Sequence, residues 1–389
     1  EPEIASWLDE LVAVDRVELL RNGSNEGFVF SVNRAMELHP DRDAVLLNSD
    51  TEVGDGWLDR LAECASRREN AASVCPFSNN ATLASYPRIG ESNPLPTQMT
   101  TAKLGRIAAA ANKSLDCEIP TTVGFCMYVR RAAWAQVGAF DQVAFGKGYG
   151  EENEWCSRAS SAGWKHYLAC DAFVFHEGGV SFGSNAEAAK LRAQAIIQVR
   201  NPNYDEHIRQ FFEDDPLRPY RRRMDLERIR GSELPKLLFI THQWGGGTEQ
   251  HLQDLAALLE GHSHVFVMKP HGGHSFEIRW TTGKVNSEEF CVHFNWVSDR
   301  DSVVDFLRDL GVARVHIHHV HGHAPEVLDL AQMLYVPLDV TLHDYFPLTP
   351  QYHLDPGAVL PEYIVSQWGW TTAEWRRRMR TFLAGADRG

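Results

Sequence analysis

No apolar run in the 389-residue chain approaches the ~20 residues needed to span a bilayer, which excludes a helical membrane span but leaves peripheral membrane association open. Basic residues are in deficit, 38 against 52 acidic, for a net charge of −14. A sequence-independent nucleic-acid binder needs a cationic surface to displace counterions, so no nucleic-acid partner is expected. The seven cysteines, at 64, 75, 117, 126, 156, 170 and 291, show no C-x-x-C spacing. An odd, scattered set in a chain this long argues against a disulfide scaffold and reads as reduced thiols in a cytosolic protein. Neither an initiator methionine nor a basic-then-apolar leader precedes Glu1, so the chain reads as lacking its true N-terminus. Internal repeats and low-complexity tracts are absent as well. What is present is ordinary globular composition, 43% hydrophobic and 23% charged, in a chain long enough for two or three domains.

Fourteen of the 18 histidines lie after Pro235, a shift that divides the chain into two unlike halves. In the first, Arg16–Leu20 and Asp43–Asn48 read as strands, and helices are expected over Gly27–Leu38 and from Gly56. A strand over Thr122–Val129, short helices over Ala132–Val137 and Asn153–Ala162, and a closing strand Ala172–His176 complete a β-α alternation, hence an α/β fold. Residues 186–235, rich in Arg, Glu and Ala and broken at Pro202 and Pro216, read as a helical connector between a first domain (1–185) and a second (236–389). The second half opens with the strand Lys236–Thr241, the loop His-Gln-Trp-Gly-Gly-Gly247 and a helix from Thr248, a Rossmann-like start.

Three features of the first half carry chemistry. Ligands in open α/β sheets bind beyond the carboxyl ends of strands, where Asn48-Ser49-Asp50 stands. Asp50 there either holds Mg²⁺ or Mn²⁺ or caps a turn. Glu151 and Glu152, behind the flexible Gly146-Lys-Gly-Tyr-Gly150, are either reactive acids or charges favoured at a helix start. His176 ends an apolar strand and is either structural or a ligand, imidazole being suited to Mn²⁺ and Zn²⁺.

As an ordered set, Asn25-x-Gly27-Phe28, Leu46-Leu-Asn-Ser-Asp-Thr51, Val123-Gly-Phe-Cys-Met127, Phe145-Gly-x-Gly-Tyr-Gly-Glu-Glu-Asn153 and His176-x-Gly-Gly179 resembles the inverting GT-A glycosyltransferases of family 2, over roughly residues 16 to 183. The resemblance implies a Rossmann-like mixed sheet, a nucleotide-diphosphate sugar donor and a Mn²⁺ or Mg²⁺ cofactor. Asn48-Ser49-Asp50 takes the place of the family's Asp-x-Asp motif, with Asn48 replacing its first acid. Asp50 and His176 are then the metal ligands, Glu152 the general base with Glu151 its alternative, and Asn25, Gly27, Asn48, Ser49 and Gly124 donor-binding. It also implies that the strand holding the nucleobase and ribose lies upstream of Glu1. An inverting transfer needs one base for the acceptor hydroxyl and a Lewis acid for the leaving diphosphate, whereas a glycosidase needs a carboxylic acid on the leaving oxygen.

Gly245-Gly246-Gly247 lets backbone approach a ligand but has neither P-loop nor G-x-G-x-x-G spacing. The run His316-Ile-His-His-Val-His321 with His323 hints at zinc, yet period-two side chains split onto opposite faces, so three ligands cannot share one face without help. Through Gly245-Gly-Gly-Thr-Glu-Gln-His251 and Thr341-Leu-His-Asp-Tyr-Phe-Pro-Leu348, residues 236 to 384 resemble the N-terminal lobe of a family 4 GT-B glycosyltransferase, with Gly245–Gly247 as an acceptor loop and the C-terminal lobe lacking. The expectation is a cytoplasmic, metal-dependent glycosyltransferase, open to association with the inner face of the cell membrane, acting on a glycan or lipid-linked glycan in surface polysaccharide assembly. A nucleotide-sugar hydrolase or pyrophosphorylase, and a silent carbohydrate-binding subunit, are the rivals.

Overall fold

The computed structural model describes residues 2–12, 17–96, 98–178, 186–281, 290–350 and 366–387. The chain divides into two compact units, Glu1–Arg221 and Arg222–Gly389. Both are α/β with a mixed sheet, as the alternation of elements predicts.

In the first unit, β1 (Ala44–Leu47), β2 (Thr51–Val53), β3 (Ala71–Phe77), β4 (Asp116–Ile119), β5 (Cys126–Val129) and β6 (Lys165–His176) form one sheet ordered β1-β5-β3-β6-β2, with β4 also on β6. Every residue of β3 is buried, as an apolar central strand covered on both faces requires. The long β6 pairs early with β3 and β4, and its last three residues pair with β2, which sets Thr51 opposite His176. That register brings the end of β1 and the end of β6 to the same place. The helices Phe28–Leu38, Arg131–Val137 and Glu151–Ser161 cover the sheet and bury Val29, Val32, Met36, Trp134 and Trp155 with Met127 and Val129 of neighbouring segments.

Two expectations need correction. Val17–Leu20 is not a strand, and Arg16 lies outside the described residues; Val17 is exposed and the adjacent Leu19 and Leu20 are both half-buried, so the run lacks the alternation that would set one face on a sheet. The stretch 186–235 is not a free connector either. Its helix Ala186–Arg200 buries Ala193 and Ile197 in the first unit's core, an i, i+4 apolar stripe of small and branched residues. Arg200 ties the same helix to Glu154 at 2.7 Å and Asp141 at 2.8 Å. The division of the chain therefore falls inside the helix Arg218–Arg230, ahead of Pro235.

In the second unit, β7 (Lys236–Ile240), β8 (His264–Pro270), β9 (Ser275–Thr281), β10 (Cys291–Asn295), β11 (Val312–Ile317) and β12 (Leu338–Val340) are ordered β10-β9-β8-β7-β11-β12. The strands β8, β7, β11 and β12 run parallel; β9 and β10 extend the sheet antiparallel. The chain order crosses over between β8 and β11 on either side of β7, the arrangement that opens a crevice at the carboxyl ends of parallel strands. Leu238, Ile240, Phe266, Met268, Val315 and Ile317 form its core with Trp375 from the helix Thr372–Ala384.

Candidate active site

A cleft of about 940 Å³ opens in the first unit, and all nine sequence candidates of that unit line it: Asn25, Gly27, Asn48, Ser49, Asp50, Gly124, Glu151, Glu152 and His176. They arrive from five separate segments. What assembles them is the sheet register together with two close backbone approaches.

At one side, the backbone of Asn48 donates to the Phe125 carbonyl at 2.8 Å and Thr51 Oγ1 donates to the Asn48 carbonyl at 2.7 Å, so the turn carrying Ser49 and Asp50 is held from both ends. Asp50 Oδ2 accepts the Gly178 N–H at 3.1 Å and faces His176 Nε2 at 3.5 Å. The other ring nitrogen, His176 Nδ1, lies 2.8 Å from the Asn80 carbonyl. A carbonyl only accepts, so Nδ1 carries a proton, and it is the neutral form of the ring that turns an Nε2 lone pair toward Asp50. Two acceptors facing each other across 3.5 Å fit a shared cation.

The sequence reading missed the residues that fix this ring. Asn79, buried, accepts from the His176 N–H at 2.8 Å and donates to its carbonyl at 3.0 Å, extending the strand pairing with a side-chain amide. Phe125 stacks on the imidazole with centroids 5.0 Å apart and planes at 21°. Nothing in the Ser78-Asn-Asn80 run announces this, because the partner is 97 positions away.

Elsewhere in the cleft, the helix Glu151–Ser161 begins at Gly150, which is left-handed with φ +82°. A Cβ at Gly150 would lie 2.8 Å from Ala193 Cβ, so glycine is demanded by the covering helix as well as by the backbone. One turn in, Trp155 is fully buried and its indole donates to the Gly138 carbonyl at 2.9 Å, anchoring the helix start. Glu151 is 4% exposed, and its Oε2 is buried with no hydrogen-bond partner among the described residues. Burial, reinforced by Glu152, raises the Glu151 pKa from 4.5 to about 8. Burial raises that of Glu152 as well, against backbone N–H groups that oppose the shift. Burial thus holds both carboxyls toward their protonated forms. Glu152 lies against Gly124, its Cδ 3.5 Å from where a Cβ there would sit. The third acid of the run, Glu154, is committed elsewhere, to Arg158 at 2.9 Å and Arg200 at 2.7 Å.

Gly27 serves mainly the architecture of this cleft. Its φ is +87°, a Cβ would fall 2.4 Å from Lys147 Cα, and Phe28 N donates to the Lys147 carbonyl at 2.8 Å. Lys147 and, from the covering helix, Arg192 add cationic side chains to the lining. Gly179 of the His-x-Gly-Gly motif lies outside the described residues.

In the second unit, Gly245, Gly246 and Gly247 join β7 to the helix Gly247–Leu258, with Gly246 at φ +91° and nothing within 4 Å of any of the three Cβ positions. The loop is open. Beside the end of β11, His319 Nε2 pairs with Asp344 at 2.9 Å and His323 Nε2 donates to the Thr241 carbonyl at 2.8 Å. His318, fully buried, is kept neutral by burial and by the neighbouring His316, His343 and His251, with its pKa lowered to about 2.

No protein-family model matches the chain. Part of it is similar to the N-acetylglucosaminyl-diphospho-decaprenol L-rhamnosyltransferases of two Mycobacterium tuberculosis strains, each 29% identical over 188 residues, covering 43% of this chain and 61% of the relative. The chain thus spans about three fifths of the length of the curated relatives it matches. A solved structure of GalNAc-T7 with UDP, GalNAc and Mn²⁺ aligns at 16% identity and a TM-score of 0.38, covering 59% of this chain and 46% of that one.

Proposed function

We propose that the first unit is a metal-dependent inverting glycosyltransferase that moves a hexosyl or deoxyhexosyl group from a nucleotide-diphosphate donor to a glycan or lipid-linked glycan. The observation that carries the reading is one cleft holding both an imidazole–carboxylate pair and two carboxyls of raised pKa. Similarity to rhamnosyltransferases whose name specifies a diphospho-decaprenol acceptor supports L-rhamnosyl transfer to a polyprenyl-diphosphate glycan at the inner face of a membrane. No described helix is long and apolar enough to cross a membrane, so the acceptor's lipid would be met at the surface.

Asp50 Oδ2 and His176 Nε2 would hold Mn²⁺ or Mg²⁺, and the donor set fits: one lone pair from nitrogen, one ionised oxygen, and open positions for substrate phosphate. When bound, the ion supplies Lewis-acid stabilisation of the departing diphosphate. Asn79, Asn80 and Phe125 fix the imidazole so that its lone pair is presented without rearrangement. Glu152, on the cleft wall at Gly124, takes the proton of the acceptor hydroxyl as that oxygen attacks the anomeric carbon. Glu151, whose carboxyl Glu152 helps to hold protonated, faces the acceptor. Asn25, Asn48, Ser49, Lys147 and Arg192 are placed to meet the donor's polar groups. For the second unit we propose the N-terminal lobe of a GT-B glycosyltransferase, with the open Gly245–Gly247 loop receiving an acceptor.

The test is to incubate the chain with a panel of nucleotide-diphosphate sugars, with and without a polyprenyl-diphosphate N-acetylglucosamine acceptor and Mn²⁺, and to identify products by mass spectrometry. A glycoside plus nucleoside diphosphate, requiring metal and lost in Asp50→Asn, is expected. Free sugar without glycoside would mean a hydrolase, nucleoside triphosphate a pyrophosphorylase, and no turnover of any donor a binding subunit.

A further inference from the structure

Among the described residues, two groups of three ligand side chains outside the cleft bring their ligand atoms within 4.8 Å of one another: His251, His318 and His343, and His271, Glu277 and His293. The second is already satisfied. Glu277 is engaged by His271 at 3.0 Å and by Arg279 at 3.2 Å, and a guanidinium competes directly with a metal for that carboxylate. The first is different in chemistry, because it contains imidazoles alone.

We infer that His251, His318 and His343 form a zinc site in the second unit. The three come from different elements: His251 from the helix after the glycine loop, His318 from the residue just past β11, and His343 from the segment after β12. This convergence at the carboxyl ends of two parallel strands supplies the help that the period-two histidine run lacked. His318 Nδ1 and His343 Nε2 are 3.4 Å apart. Zinc–nitrogen bonds of about 2.0–2.1 Å in tetrahedral geometry put ligand nitrogens about 3.4 Å apart, so this pair already stands at ligand spacing. His251 is exposed in the second turn of its helix, and its ligand atom, within 4.8 Å of the others, closes to ligand spacing by a rotamer adjustment.

The surroundings hold the imidazoles in ligating form. His318 is fully buried and turns Nδ1 toward His343, while its other ring nitrogen, Nε2, has no hydrogen-bond partner among the described residues. His316 stacks on it with centroids 4.1 Å apart while its own Nε2 is taken by Thr341 Oγ1 at 2.8 Å. The nearby carboxylate, Asp344, is turned away toward His319 at 2.9 Å and the Phe346 N–H at 2.8 Å. Three imidazole nitrogens and no carboxylate select Zn²⁺ over Mg²⁺ or Ca²⁺ and leave a fourth position for water or a ligand.

The experiment titrates chelator-treated, untagged full-length chain with Zn²⁺ by calorimetry, and with Co²⁺ by visible absorption, which is intense for tetrahedral coordination. His251→Ala and His343→Ala, both at positions that are not fully buried, are compared with His271→Ala, and circular dichroism checks each fold. One zinc equivalent should disappear in His251→Ala/His343→Ala, each single change should weaken it by more than the roughly 10-fold expected of an outer-shell loss, and His271→Ala should leave it unchanged. The tetrahedral Co²⁺ band should vanish with the same equivalent. Zinc binding at Asp50 and His176 would persist in these variants and so is counted separately. Equal stoichiometry and affinity in parent and double variant, or no tetrahedral Co²⁺ band in the parent, would overturn the site.

Discussion

Burial governs the ionisation of the two glutamates that open the helix Glu151–Ser161. With its pKa raised from 4.5 to about 8, Glu151 keeps its proton in the folded state over a range where the unfolded chain has released it. Its contribution to stability is therefore complete below about pH 4.5 and is lost as pH rises through about 8. Glu151→Gln, which stays neutral at all pH, should flatten that decline, and thermal midpoints at pH 5 and pH 9 for parent and variant measure it. An unchanged slope would mean the carboxyl ionises without cost. For activity the sign is opposite, since a base works only when ionised; with burial holding Glu152 above the usual carboxylate range, transfer should rise with pH. Glu152→Gln should lower turnover by at least about 10²-fold with donor affinity retained, whereas Glu151→Gln should act mainly on acceptor KM. Abolished turnover in Glu151→Gln beside a near-normal Glu152→Gln would exchange the two roles.

At the scale of elements, glycines mark where segments cross. Gly27 combines φ +87° with a Cβ position 2.4 Å from Lys147 Cα, so Gly27→Ala should destabilise by at least about 1–3 kcal/mol in denaturant unfolding, the usual cost of a strained backbone, and should also weaken donor binding by moving the Gly146–Gly150 loop. Gly105 is the counter-example. It sits inside the helix Thr101–Ala111 with only Gly54 Cα, at 4.0 Å, near its Cβ position. Gly105→Ala should stabilise by about 0.5–1 kcal/mol. Strands and helices with clear apolar periodicity were legible in the sequence, among them β1, the end of β6, β7 and the helices at Phe28 and Glu151. The strand β3 was not, because Pro76 breaks a run that otherwise reads as a central strand; the sheet absorbs it where the pairing shifts register between Pro76 and Phe77. The pair β9 and β10 was missed too, although Phe276, Ile278 and Trp280 of β9 are buried in the alternation expected of a strand.

For the whole molecule, each unit has its own buried core, one built around Trp134 and Trp155, the other around Phe266, Phe276 and Trp375. Calorimetry should therefore resolve two unfolding transitions, since cooperativity follows the continuity of a core. Nucleoside diphosphate with Mn²⁺ should raise only the transition of the first unit, by mass action on its folded state. A single transition, or an equal shift of both, would count against independent cores.

Residue chemistry and local pattern determined much of this protein: the α/β class, the acids and imidazole placed at strand ends, and the glycine loop before Glu151. These follow from side-chain periodicity and strand-end position, which are properties of short stretches of chain. Only the tertiary structure decided which of them meet. Sheet register set Thr51 opposite His176 and so faced Asp50 with a lone pair; Asn79 and Asn80 reached that ring from 97 and 96 positions away. The helix Ala186–Arg200 joined the first unit because Ala193 and Ile197 found apolar surface there and Arg200 found Glu154. Contacts between residues far apart in sequence depend on the packing of whole elements, and that packing is settled by the shared core and not by any local run of residues.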